Sequence, residues 1–356
     1  MTRIFKALVS AGVFAFGVSL AAQGPAAPEI AFDSTGSLLT TPDNVFVGEV
    51  AGVGRNSRGE IFVYTRTSHP YATLGDNRTF FHNGSKLFVF DSTGKYLREL
   101  GQETYGFNIA FGLRVDPQDN VWTVDAGANQ VVKFNPQGGV ALVLGRKPEA
   151  INVRPAQPGG GGGGRGGPQG PPGAGTPGTT FNRPSDVAWD KAGNTYIADG
   201  MNGNVNRIVK VNKDGNFVKQ WGHTGSGDGE FNGPKALAID ANGDVYVADS
   251  GNKRIQVFDG EGTFKRQFAS PGNPLTMCMT TGATQYIYVS HSGDPDGMED
   301  AAIYKVGLDG TVLGKFGSAG KLPKQFGLAN SIDCRNEKEL LVGEMTNWRV
   351  QKLTLK

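Results

Sequence analysis

Along residues 231–268 apolar and polar positions alternate in four short runs, KALAI, DVYVAD, RIQVFD and FKRQFA. Leu237/Ile239, Val245/Val247 and Ile255/Val257 keep a period of two, as half-buried strands require. Turns rich in Gly and Asn separate the runs, because these residues tolerate the left-handed backbone of tight turns. The same succession recurs at 45–100 (AGVGR, EIFVYT, KLFVFD, YLREL), 111–145 (GLRVD, VWTVD, QVVKF, ALVLG) and 181–222 (SDVAWD, TYIAD, RIVKV, FVKQWG). It appears again at 274–317 (LTMCM, YIYVSH, IYKV, VLGKFG) and 326–356 (SIDC, LLVGE, WRVQKL). Six copies of a four-stranded meander, each roughly 40–50 residues long, predict an all-β fold: a six-bladed β-propeller whose blades share cores with their neighbours.

The last copy stops after its third strand. Residues 32–39 read FDSTGSLL and 90–97 read FDSTGKYL, the turn into a fourth strand. The N-terminal segment is therefore expected to supply the missing outer strand of the last blade and so close the ring. Two insertions interrupt the pattern. Residues 155–179 are almost all Gly, Pro and Gln and should form a disordered surface loop inside a single domain spanning 23–356. Residues 66–85 carry two of the four His with Tyr71, Phe80 and Phe81, and either cover a binding mouth or pack on the blade flank.

Residues 1–22 have the form of a secretory signal peptide: Arg3 and Lys6, an apolar run from Ala7 to Leu20, and small residues around Ala21. The run is too short to span a bilayer, and no later stretch could do so. The expectation is an exported protein, periplasmic or extracellular, without a membrane span and monomeric. Removing Arg3 and Lys6 leaves basic and acidic side chains equal at 33, which gives no basic surface for nucleic acid. Gly is abundant, at 54 residues, as many tight turns demand. Cys278 and Cys334 fall on the first strands of consecutive repeats, so a bridge and two buried thiols are both open.

The repeats resemble NHL repeats, most clearly over 237–258, where an inner strand precedes D-x-x-G-x-V-Y-V-A-D and then N-x-R-I-x-x-F. Residues 111–145, with GLRVDPQDNVWTVDAGANQVVKFNP and VLGR, further resemble the peptidyl-hydroxyglycine amidating lyases, as do ADGMNGNVNRIVKV and FVKQWG. That resemblance implies a zinc ion over the central channel, held by one His at the start of the inner strand in each of three blades. A Lewis acid there lowers the pKa of the carbinol hydroxyl to be deprotonated. At the three positions this chain has Phe111, Lys235 and Asn330, and Met201 stands where the family has a catalytic Tyr. Arg66 alone matches the family's active-site Arg. Fold likeness does not carry an activity whose site residues are missing.

Antiparallel pairing puts the starts of the first strands and the ends of the second strands at one mouth of the channel. The first ring is Ala51, Phe111, Ser185, Lys235, Leu275 and Asn330; the second is Thr65, Asp125, Asp199, Asp249, His291 and Glu344, with Arg66 just beyond. The acidic residues precede Gly/Asn turns and should accept backbone N–H bonds from them. His291, Asp249 and Glu344 form a weaker alternative as a metal set. Lys235 and Arg66 suggest pairing with an anionic ligand, unless nearby carboxylates neutralise Lys235 as a plug. The chain is expected to bind a peptide, a small anion or a protein at this mouth, with Lys235, Phe111, Asn330, Arg66 and His291 in contact. No cofactor is expected, and zinc or calcium would need ligands other than the family's His. The alternative is a lyase-like enzyme with a rebuilt site in which Arg66 is catalytic.

Overall fold

Each alternating run pairs with the next as an antiparallel strand, and the six meanders become six four-stranded sheets. The computed structural model describes residues 27–68, 71–74, 78–81, 84–145, 180–201, 205–292 and 301–356. From the inside outward, the first blade is Glu49–Arg55, Ile61–Arg66, Ser85–Phe90 and Tyr96–Leu100. The second is Ala110–Val115, Val121–Asp125, Gln130–Phe134 and Val140–Gly145. The third, fourth and fifth begin with the inner strands Pro184–Trp189, Pro234–Ile239 and Asn273–Met279. The sixth is Ala329–Asn336, Glu339–Glu344 and Arg349–Leu355.

The sixth blade takes its outer strand from the other end of the chain. Phe32–Thr35 pairs antiparallel with Arg349–Leu355, with Phe32 opposite Leu355 and Thr35 opposite Lys352. Within the FDSTGSLL segment it is FDST that pairs, not the residues beyond the turn as in the first blade. The reason is packing: Leu38 is buried with Phe88 and Phe90 of the first blade, so the chain has already crossed the seam by that point.

Cores lie between blades, as the alternation demands. Tyr64 and Val89 of the first blade pack on Leu113 and Val132 of the second, and Val124 and Leu144 pack on Val187 and Ile197 of the third. The pattern runs round to Leu341 and Val350 of the sixth blade, which meet Val50 and Val63 of the first. Cys278 and Cys334 form a disulfide between the inner strands of the fifth and sixth blades. The long loop of the first blade contains a hairpin of Tyr71–Leu74 and Arg78–Phe81. The signal-like residues 1–22, the Gly/Pro-rich residues 155–179, His69 and His82 lie outside the described residues. Among the described residues no helix is long and apolar enough to cross a membrane.

Polar side chains cross the channel. The Arg114 guanidinium reaches from the second blade to both Asp186 carboxylate oxygens of the third, at 2.9 and 2.6 Å. The same group donates to the Met277 carbonyl of the fifth blade at 2.7 Å and lies 3.4 Å from the Leu237 carbonyl of the fourth. Asp186 in turn accepts from the backbone N–H of Leu237 at 2.9 Å. One ion pair thus ties four inner strands together.

Candidate functional site

At the mouth formed by the starts of the inner strands, Phe111, Ser185, Lys235, Leu275 and Asn330 surround a constriction of only about 10 Å³. Antiparallel register explains the convergence: each of these residues follows the inner-strand residue that pairs with Asp125, Asp199, Asp249, His291 or Glu344 near the end of its blade's second strand. Asn330 is committed to structure. Its Nδ2 donates to the carbonyls of Ala51 at 2.7 Å and Phe111 at 2.8 Å, joining the sixth blade to the first and second. Ser185 Oγ donates to the Pro234 carbonyl at 2.7 Å. Phe111 is buried with Ala126 and Met201, so the two positions where the lyase resemblance calls for a metal ligand and a tyrosine fill each other's space with apolar atoms.

Lys235 is different. Its Nζ stands 5.4 Å from the centre of the Phe111 ring, a cation–π distance. Among the described residues it has no ion pair or hydrogen bond. Burial, with Arg183 and Arg66 close by, lowers its ammonium below the ordinary lysine range. No carboxylate pairs with Lys235 among the described residues: Asp186 lines the same constriction but is held by Arg114. Arg66 is held by its Nε, which donates to the Ala110 carbonyl at 2.8 Å, and by Glu49 at 3.3 Å from Nη1. Burial lowers the Arg66 pKa as well, opposed by Glu49 and Asp125.

Arg183 completes a trio of cations, and the sequence reading missed it. Its Nε is buried with no hydrogen-bond partner. The backbone there has φ of +62°, while the matching residue of the next repeat is Gly233 at +68°. A left-handed conformation costs a non-glycine residue about 1–2 kcal/mol. FNRP against FNGP was therefore a legible signal: the chain holds a guanidinium at this mouth where a glycine would sit without strain.

The acidic ring serves the scaffold. Asp125 accepts from the N–H groups of Asn108, Ile109, Gly127 and Ala128 and from the Tyr64 hydroxyl. Asp199 accepts from Asn182 N and Arg207 Nε, Asp249 from Asn232 N and Arg254 Nε, and Glu344 from Gly327 N and Arg349 Nε. Among the described residues only Asp125 takes backbone N–H groups from the turn that follows it. The shared partner is instead the segment entering the inner strand, with an Arg on the third strand in three blades. Burial pushes the Asp199 carboxyl up to about 6 despite Arg207. His291 is buried beside Tyr304, at 5.5 Å between ring centres. It lies so close to Gly272 that a Cβ there would come within 1.9 Å of its Nδ1.

These residues do not fit a zinc ion in the manner of the amidating lyases. Phe111 has no donor atom, Asn330 offers only a weak neutral oxygen while its Nδ2 holds two carbonyls, and Lys235 is a cation with two guanidiniums near it. Among the described residues no group of three or more His, Cys, Asp or Glu stands close enough to hold a metal, His291 with Asp249 and Glu344 included. A larger cavity of about 440 Å³ opens at the opposite mouth, lined by Val115, Trp189, Ile239, Met279 and the disulfide. Its charged groups have partners: Arg114 binds Asp186, Asp333 accepts from Arg55 N, and Arg335 donates to the Val115 carbonyl. The excess charge lies at the narrow mouth, and that end is the candidate site.

The NHL repeat family matches residues 231–258. The chain is 30% identical over 192 residues to peptidyl-alpha-hydroxyglycine alpha-amidating lyase 1 of Drosophila melanogaster, a match covering 51% of this chain and 30% of that protein. It is 32% identical over 187 residues to NHL repeat-containing protein 3 of Mus musculus, covering 50% of this chain and 46% of that one. The chain thus spans less than half the length of these relatives. Among solved structures, a gluconolactonase from Xanthomonas campestris superposes with a TM-score of 0.55 at 13% identity, over 94% of this chain and 99% of that one. This last likeness is one of fold alone. The chain is a six-bladed β-propeller of NHL-like repeats, similar over half its sequence to an amidating lyase and in fold to a gluconolactonase.

Proposed function

We propose that this protein is an exported binding module that takes an anionic ligand, a small carboxylate or the C-terminal carboxylate of a peptide, at the narrow mouth of its channel. The observation that carries this is Lys235: an ammonium at the constriction, beside Arg66 and Arg183, with no carboxylate partner among the described residues. Uncompensated charge in a half-buried site is expensive unless a partner arrives. Phe111 and Met201 supply an apolar floor for the rest of the ligand. The disulfide is in keeping with export, because such bonds persist in oxidising compartments.

Titration of wild type and Lys235→Ala with small carboxylates and with peptides bearing a free C-terminus tests this. A charge-assisted hydrogen bond contributes about 1.5–3 kcal/mol, so the variant should bind at least about tenfold more weakly. Equal affinities would remove Lys235 from ligand binding. A second reading, a carbon–nitrogen lyase acting on peptidyl-alpha-hydroxyglycine through a rebuilt site, draws on the 30% identity to the fly lyase and on Arg66 beside Ala110. Stoichiometric zinc in protein purified without chelator, with release of glyoxylate from such a peptide, would favour it over simple binding.

A further inference from the structure

We infer that Lys235 is a nucleophilic amine that condenses reversibly with small carboxylates bearing a carbonyl on the adjacent carbon, 2-oxo acids being the simplest class. This rests on the anion site proposed above and adds to it the chemistry of one member. Of the three cations at the mouth, two are guanidiniums, which stay charged at any working pH and are poor nucleophiles. They can hold a carboxylate but do no covalent chemistry. Lys235 alone can give up its proton there.

Its surroundings favour that loss. Lys210, Lys265 and Lys305 each stand against a carboxylate, of Glu261, Asp244 and Glu337, at 2.7, 2.5 and 3.3 Å. Lys235 faces a benzene ring at 5.4 Å instead and forms no ion pair among the described residues, Asp186 at the same constriction being taken up by Arg114. An amine in an apolar setting beside other cations is the usual arrangement of a Schiff-base lysine. Burial and the two arginines shift its pKa downward, in the same direction.

The step balances without any other protein group. The carboxylate pairs with Arg66 and Arg183, and the free Lys235 Nζ adds its lone pair to the carbonyl carbon. The carbinolamine loses water, its oxygen coming from the carbonyl and its two hydrogens from the amine. The imine takes one proton from solvent, so the cationic charge of the site is restored. Nothing is oxidised or reduced, and hydrolysis reverses the step.

Trapping tests this on the full chain. Sodium pyruvate with cyanoborohydride, which delivers hydride to an iminium carbon, should convert Lys235 to its carboxyethyl form, located by peptide mapping. Labelling there should run about tenfold or more faster than at exposed lysines such as Lys213, and lactate, which has the carboxylate but no carbonyl, should suppress it. Lys235→Arg should lose the fast adduct. Lactate binding without selective labelling would overturn the covalent step and leave the anion site standing. Absence of both would overturn the two together, and labelling spread evenly over surface lysines would overturn the covalent step.

Discussion

Arg114→Ala lowers the unfolding free energy by about 3–5 kcal/mol, the usual effect of removing one partner from a buried ion pair. Asp186 is 7% exposed and Arg114 18%, so a lone Asp186 carboxylate would stay largely out of water with its strongest donor gone. Two further losses follow, because the guanidinium also serves the Met277 and Leu237 carbonyls. The double variant Arg114→Met with Asp186→Asn should recover much of the stability, because it leaves no isolated charge. Urea denaturation of the two singles and the double, taken as a thermodynamic cycle, gives the coupling directly. Singles within about 0.5 kcal/mol of wild type would show that the pair is dispensable and that the channel is held by its blade interfaces alone.

Period-two alternation fixes which face of a strand is buried against a neighbouring blade, and with the repeat that is enough for six sheets and their order, while the short last repeat and the FDSTG likeness gave the ring closure. It does not say which polar residues on the channel face meet one another. The information was present in a different form. At the inner-strand row of Arg114 the other blades carry Gly54, Ala188, Ala238, Cys278 and Asp333, mostly small residues that leave room for one long side chain. Reading across blades by row, not along each strand, would have exposed it. The same comparison of rows gives Arg183 against Gly233.

The narrow mouth shows the complementary limit. The convergence of Phe111, Lys235 and Asn330 follows from repeat alignment. What each side chain does there does not follow, because it depends on neighbours from other blades. Asn330 turns out to bond two carbonyls, while Lys235 bonds none, though both occupy equivalent positions. The carboxylates at the ends of the second strands illustrate the same point. Their role as acceptors was legible, but their main partners lie 17 residues upstream, in the segment that enters the inner strand. A turn motif read locally cannot reveal a contact of that span.

Loss of the Cys278–Cys334 bridge should destabilise the protein by up to about 4 kcal/mol, the chain-entropy figure for a loop of this length, since the bonded residues lie 56 positions apart. The bond acts mainly by restricting the unfolded chain, so the Cys278→Ala/Cys334→Ala variant should keep the propeller and melt about 5–10 °C lower. The folded ring has other means of holding these blades: the Ser290 hydroxyl donates to the Ala329 carbonyl at 2.7 Å, and Tyr288 packs with Ile332 and Phe316 in the shared core. The bridge does not cross the seam where the ring closes. There the Phe32–Thr35 strand, Ser331 on Val53 and the Arg55–Glu339 pair make the join. Reduction should therefore shift the melting transition without splitting it into two. A thiol-reactive reagent that titrates both cysteines in the unreduced native protein would show that the bond does not form, and an unchanged melting temperature in the double variant would show that it contributes nothing.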